Sequence, residues 1–188
     1  MPTLRPITAD DHAFVLDLNQ RNVELLSHLD EPRLAQLVEW ADRADVIEHD
    51  GRRAGFVLTF APGTDYDSEN YVWFGERFGD RFYYLDRIVL DDGFRRAGLG
   101  RAAYDELERH AAAYGRMVLE VNVEPPNQPS LDFHHGRGYV ELARLGGEKQ
   151  VALMALGLDG PNRGRSGAAP GAQDAGAEDA GVQDRGDA

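Results

Sequence analysis

The period of the apolar positions changes several times along the first 158 residues, and each change marks an element. Thr3 to Ile7 alternates and predicts a strand. Thr8-Ala-Asp-Asp then supplies a helix start, its acids suited to the positive end of a helix dipole, and Phe14, Val15, Leu18 and Val23 follow at roughly helical spacing. Pro32 opens a second helix with Leu34, Leu37, Val38 and Ala41 as its stripe. Val46 to His49 and Ala54 to Phe60 read as strands joined by Asp50-Gly51, a strong hairpin signal. Residues 62–79 read as irregular: Pro, Gly, Asp and Ser, then a cluster of aromatics.

Phe82 to Leu90 predicts a strand. Gly98 to Tyr114 is the clearest helix, with Leu99, Ala103, Leu107, Ala111 and Tyr114 on one stripe and Gly115 as its stop. Met117 to Val123 predicts another strand and Ser130 to His135 a short helix. The last two strands are Tyr139 to Arg144 and Val151 to Leu156, split by Gly146-Gly147. The order β-αα-βββ-α-β-α-ββ predicts the α/β class: a mixed, mostly antiparallel central sheet of seven strands flanked by helices. One crossover helix joins two parallel strands.

Composition divides the chain. From residue 159 to 188 the text is rich in Gly, Ala, Asp and Pro, with one large aliphatic, Val182. Such a segment buries too little apolar surface to offset its ordering entropy, so a disordered, mildly acidic tail is expected after a folded domain of residues 1–158. The chain carries 20 basic and 33 acidic residues, a net charge of −13. That balance argues against nucleic acid or an anionic membrane as partner. Absence of cysteine excludes a disulfide scaffold, a thiol nucleophile and thiolate metal sites. There is no apolar run of membrane-spanning length, and the polar, acidic start reads as neither signal nor transit peptide, so a cytoplasmic location is expected. Lys149 is the sole lysine among 19 arginines, and with the abundant Ala, Gly and Asp this composition suggests a bacterial source.

The strand ending at Leu90 runs through Asp91-Asp92-Gly93-Phe94 into Arg95-Arg96-Ala97-Gly98-Leu99-Gly100-Arg101 and then the long helix. Glycines at a helix N-terminus leave backbone N–H groups uncovered, which suits an anion. Arg95, Arg96 and Arg101 reverse the local sign of an otherwise negative chain, as a polyanionic cofactor requires. A nucleoside-triphosphate loop is excluded because no Gly-Lys-Ser/Thr follows, and a dinucleotide fold lacks its second βαβ unit.

These residues resemble the acetyl-CoA pyrophosphate loop of the GNAT superfamily of N-acetyltransferases. Leu119-Glu120-Val121-Asn122, then Asn127-x-x-Ser130-x-x-Phe133-His134-x-x-x-Gly138-Tyr139, is similar to that superfamily's next strand and cofactor-side helix, and the resemblance covers about residues 3–158. It implies acetyl-CoA as cosubstrate. The backbone of Ile88, Val89 and Leu90 would run beside the pantetheine arm, with the Leu90 N–H toward the thioester carbonyl. The amides from Arg95 through Ala97, Gly98 and Leu99 to Gly100, with the charge of Arg101, would take the pyrophosphate. Asn127 would cap the last helix and touch the cofactor arm.

Glu120 is the expected general base. Val118, Glu120 and Asn122 share one face of a central strand, and two polar residues on a face that should be covered point to a cleft. The resemblance gives a Glu there the role of base. His134 stands where the superfamily often has a tyrosine acting as general acid, and an imidazole N–H can also donate. His134-His135 is not a metal pair, because adjacent helical residues face different ways, and no metal is expected. The acceptor is expected beside residues 65–74, where Glu69 would attract an ammonium and Tyr71 or Trp73 would stack on it, with Asn22 on the other wall.

The implied activity is N-acetylation of a primary amine: a small amine, an amino acid or a protein N-terminus. A non-catalytic acyl-CoA sensor and a plain anion-binding domain remain alternatives. A homodimer is an expectation from the resemblance, with the last two strands as its natural place.

Overall fold

The structure, a computed structural model, describes residues 2–94 and 97–158. The expected tail and Arg95 and Arg96 lie outside the described residues. Seven strands form one open sheet: β1 (Thr3–Pro6), β2 (Arg43–His49), β3 (Arg52–Phe60), β4 (Tyr83–Leu90), β5 (Arg116–Glu124), β6 (Val140–Gly146) and β7 (Gln150–Gly157), in the order β1-β2-β3-β4-β5-β7-β6. Every neighbouring pair is antiparallel except β4 and β5. Five helices flank it: α1 (His12–Arg21), α2 (Glu31–Trp40), α3 (Glu69–Phe78), α4 (Leu99–Ala111) and α5 (Gln128–Arg137). The α/β, mostly antiparallel architecture expected from the periodicity is the one observed.

The sheet buries both faces. Val15, Leu18, Leu34, Leu37 and Phe74 from α1, α2 and α3 pack on Phe56, Leu58, Tyr84 and Val118. Tyr104, Leu107 and Ala111 from α4 pack on Val57, Tyr83, Leu85, Met117 and Leu119. Successive side chains of a strand point to opposite faces, so Val118 joins the first core while Met117 and Leu119 join the second. Gly55 allows β3 and β4 to close: a Cβ there would sit 2.2 Å from the Val89 carbonyl oxygen.

One element departs from the expected order. Residues 62–79 were expected to be irregular, yet Glu69–Phe78 is a helix. Ser68 caps it, its side chain accepting from the Tyr71 amide, and Tyr71, Phe74 and Phe78 fall at i, i+3 and i+7 on the core side. The clustered Asp, Ser and Gly before it and the β-favouring aromatics within it obscured that spacing. The last helix is also longer than expected, because Asn127 caps it at Ser130 and Pro129 fits its first turn.

Candidate active site

Strands β4 and β5 pair at only two positions, Tyr83 with Met117 and Tyr84 with Val118. Beyond them β4 stays bonded to β3 as far as Leu90, and β5 to β7 as far as Glu124, while the facing edges separate. A register shift between Leu58 and Thr59 leaves Asp86 as an extra residue in β4, and such a bulge bends and twists its strand. The result is a cleft of about 680 Å³ running between the two strands.

Backbone polarity follows from the pairing. The Asp91 amide donates to Ala54 on the β3 side at 2.9 Å. Amides alternate sides along a strand, so those of Leu90 and Ile88 face away from β3, toward the gap. Ile88 and Val89 line the cleft. At one end of the gap α4 begins: Gly98 is its N-cap in the left-handed region at φ 75°, and the first intrahelical bond is Ala102 to the Gly98 carbonyl. The amides of Gly98, Leu99, Gly100 and Arg101 therefore have no acceptor within the helix. Among the described residues a Cβ at Gly98 would meet nothing within 4 Å, and one at Gly100 only Leu90 Cδ1 at 3.5 Å. Leu99 is buried and anchors the turn, while Ala97 and Arg101 are exposed.

On the α1–α3 side the cleft floor holds two carboxylates. Glu120 Oε2 accepts from the Tyr84 hydroxyl at 2.7 Å, and Asn70 also hydrogen-bonds Glu120. Asp86 accepts from the Tyr66 hydroxyl at 2.5 Å and from Arg87 Nε at 2.6 Å. Glu120 is half-buried in the cleft lining, and desolvation, reinforced by the Asp86 charge, pushes its pKa up to about 8. Arg87 is buried; its other two nitrogens donate to Asn19 at 2.9 Å and Ser27 at 3.0 Å, tying β4 to α1 and to the α1–α2 connection. Asn122 ties the same connection to β5 by donating to the Leu25 carbonyl at 3.0 Å.

On the opposite side Asn127, Ser130, His134 and Tyr104 line the cleft. His134 Nδ1 lies 2.7 Å from the Ser130 carbonyl oxygen, which can only accept, so Nδ1 carries the proton. Nε2 therefore accepts from the Tyr104 hydroxyl at 2.7 Å. Burial lowers the His134 pKa to about 4, which keeps the ring neutral. The expected general-acid role is corrected here: both ring nitrogens are engaged within the protein, and the ring has no N–H left for the cleft.

The structure brings Glu120, Ile88, Val89, Asn127, His134 and Asn22 to one cleft. It does not bring Tyr71, Trp73 or Glu69 there. Tyr71 is buried, with its hydroxyl on the Ala61 carbonyl at 2.7 Å; Trp73 packs on the core under Arg77; Glu69 is exposed in the first turn of α3. Helical geometry turns Ser68 and Asn70 to the cleft instead. Asp86 and Tyr104 were missed by sequence reasoning. Asp86-Arg87 did leave a signal, two charges inside an otherwise apolar strand. Tyr104 left none, since it adjoins the core stripe of α4.

A family model described as the acetyltransferase (GNAT) family matches residues 12–139. The chain belongs to the GNAT acetyltransferase family. Solved structures share the fold. The ribosomal-protein-S18-alanine N-acetyltransferase of Escherichia coli is 19% identical, with a TM-score of 0.61 over 87% of this chain and 97% of that one. Ard1 from Thermoplasma volcanium is 18% identical, with a TM-score of 0.64 over 84% and 97%. The Salmonella typhimurium protein yncA, solved with its cofactor acetyl-CoA, is 21% identical, with a TM-score of 0.60 over 86% and 96%. No match was found among curated proteins. GNAT membership makes acetyl-CoA the acyl donor, and the amides at Gly98 to Arg101 and the unpaired edge of β4 fit it. Among the described residues no group of three or more His, Asp or Glu is placed to hold a metal, and no helix is long and apolar enough to cross a membrane.

Proposed function

We propose that this GNAT protein is an N-acetyltransferase that moves the acetyl group of acetyl-CoA to a primary amine by direct attack on the thioester. The observation that carries the reading is Glu120: a carboxylate set in the floor of the splayed β4–β5 cleft with its proton affinity raised toward that of its substrate. Acetyl-CoA supplies an activated acyl group when bound, and the remaining work falls to the protein.

The amides of Gly98 to Arg101 hold the pyrophosphate at the N-terminus of α4, where helix dipole and free N–H groups act together. The Leu90 N–H, directed into the gap, stabilises charge on the acyl oxygen. The acceptor enters from the α1–α3 side, past Asn22, Ser68 and Asn70. Glu120, once ionised, places negative charge at that end and attracts an alkyl ammonium. An ammonium has a pKa of about 10 and is not a nucleophile until it gives up a proton. Glu120 takes that proton, being a stronger base than an ordinary carboxylate by virtue of its surroundings. The leaving thiolate needs little help, because a thiol pKa is only about 8.5. His134 acts in this reading as a positioning residue that holds the Tyr104 hydroxyl against the cleft wall.

Steady-state thiol release from acetyl-CoA with a panel of small amines, amino acids and N-terminal peptides tests the reading. Turnover with any class that is lost in Glu120→Gln supports it. Micromolar acetyl-CoA binding with no turnover on any amine would favour the acyl-CoA sensor.

A further inference from the structure

Lys149 is the only lysine in a chain whose other 19 cationic side chains are arginine, and it lines the same cleft as Glu120. It sits at the β6–β7 turn, one residue before β7. Along β7 the residues Val151 and Leu153 share a face by alternation. Val151 and Leu153 pair with Asn122 and Glu120 and pack in the core on the α1–α3 side. Lys149 stands in the turn just before this row and lines the cleft together with Val151, Asn122 and Glu120. It is four residues before Leu153, the register position opposite Glu120, a span of at most roughly 13 Å at a strand rise of about 3.3 Å per residue. The flexible four-carbon stem of a lysine can cover much of such an interval. Lys149 is exposed, and among the described residues it makes no ion pair.

Resting on the reading of the cleft as an amine acetylation site, we infer that Lys149 is itself an acceptor: the protein acetylates its own Nζ from bound acetyl-CoA. In the step, Glu120 takes a proton from the Nζ ammonium, the C–N bond forms at the acetyl carbon and the acetyl C–S bond breaks. CoA leaves as the thiolate, and the proton on Glu120 returns to solvent. No further reactant is needed. Tethering the amine to the cleft gives it a high effective concentration, so this acceptor competes whenever no free amine is present. The product is a neutral amide at the cleft mouth. Acetylation removes the one lysine charge there, so the site changes its own acceptor end as it reacts.

The test is mass spectrometry of the full-length protein after incubation with acetyl-CoA, followed by peptide mapping. The expected result is one acetyl group on Lys149, formed at a first-order rate that does not change with protein concentration. Excess CoA should suppress it at least 10-fold in the unaltered protein, a control that needs no variant to fold. Lys149→Arg should lose the label, and Glu120→Gln should slow it at least 10-fold. Labelling that persists under excess CoA, equals that of heat-unfolded protein or rises with protein concentration overturns the inference. If free amines are turned over while Lys149 stays unlabelled, the inference fails and the acetyltransferase reading stands. If neither reacts, the acetyltransferase reading fails and takes the inference with it.

Discussion

Tyr84 occupies the last position at which β4 and β5 pair, and its hydroxyl donates to Glu120, two residues beyond its strand partner Val118, at 2.7 Å. The point where the sheet splits and the candidate base are therefore joined by one hydrogen bond. The donor favours the charged carboxylate, while burial and Asp86 oppose it more strongly.

A base works only when deprotonated. With Glu120 at about 8, kcat/KM should rise with pH up to that value and level off above it. Glu120→Gln should lower kcat by about 10²–10⁴-fold and abolish this limb while leaving acetyl-CoA affinity unchanged. A pH–rate profile of both proteins checks this, and an unaltered limb in the variant removes Glu120 from the base role.

Two neighbours should move that limb in opposite directions. Tyr84→Phe removes a donor to the charged form, so the limb should shift to higher pH. Asp86→Asn removes a like charge, so it should shift to lower pH. Parallel pH profiles decide the matter, and shifts of the same sign in both would contradict the arrangement.

Stability should follow the same proton. The folded pKa of Glu120 is raised, so the unfolded chain ionises first as pH increases from the ordinary carboxylate range toward 8. Ionisation then opposes folding. Glu120→Gln should match the unaltered protein in Tm near pH 4 and exceed it by a growing margin up to pH 8, as thermal melts across pH would register.

At the other end of the cleft, Gly98→Glu should raise the Kd for acetyl-CoA and CoA at least 100-fold, since it sets bulk and negative charge over the amides at the start of α4. Gly98→Ala should cost about 1–2 kcal/mol of stability, because a side chain at φ 75° is strained even where space is free. Calorimetry with acetyl-CoA, CoA and ATP in parallel, together with denaturant melts, separates the two effects.

Arg87→Met should destabilise the fold by about 3–5 kcal/mol, because it strands the buried Asp86 carboxylate. It also frees the α1–α2 connection from β4. A conservative Arg87→Lys should keep the fold and raise the KM for the amine more than that for acetyl-CoA, since Asn19 and Ser27 lose their shared donor. Separate titrations of the two substrates read this split.

The element order apart from α3, the mixed sheet, the glycine turn at Gly98 and Gly100 and the place of Glu120 in a cleft were legible in the sequence. Each is a local pattern: a periodicity, a turn residue, or two polar positions on one face of a strand. What the sequence withheld depends on contacts between distant residues. Glu69 to Phe78 could be read as loop because composition masked its spacing, and the wrong backbone turned Tyr71 and Trp73 toward the acceptor when they belong to the core. His134 could be read as a proton donor until Tyr104, 30 positions earlier, was found on its Nε2. The bulge at Asp86 and the parting of β4 from β5 rest on register, which alternation alone leaves open. Local periodicity determined which elements form and where charge gathers. Only the packing of those elements decided which polar atoms meet in the cleft and what proton affinity each has there.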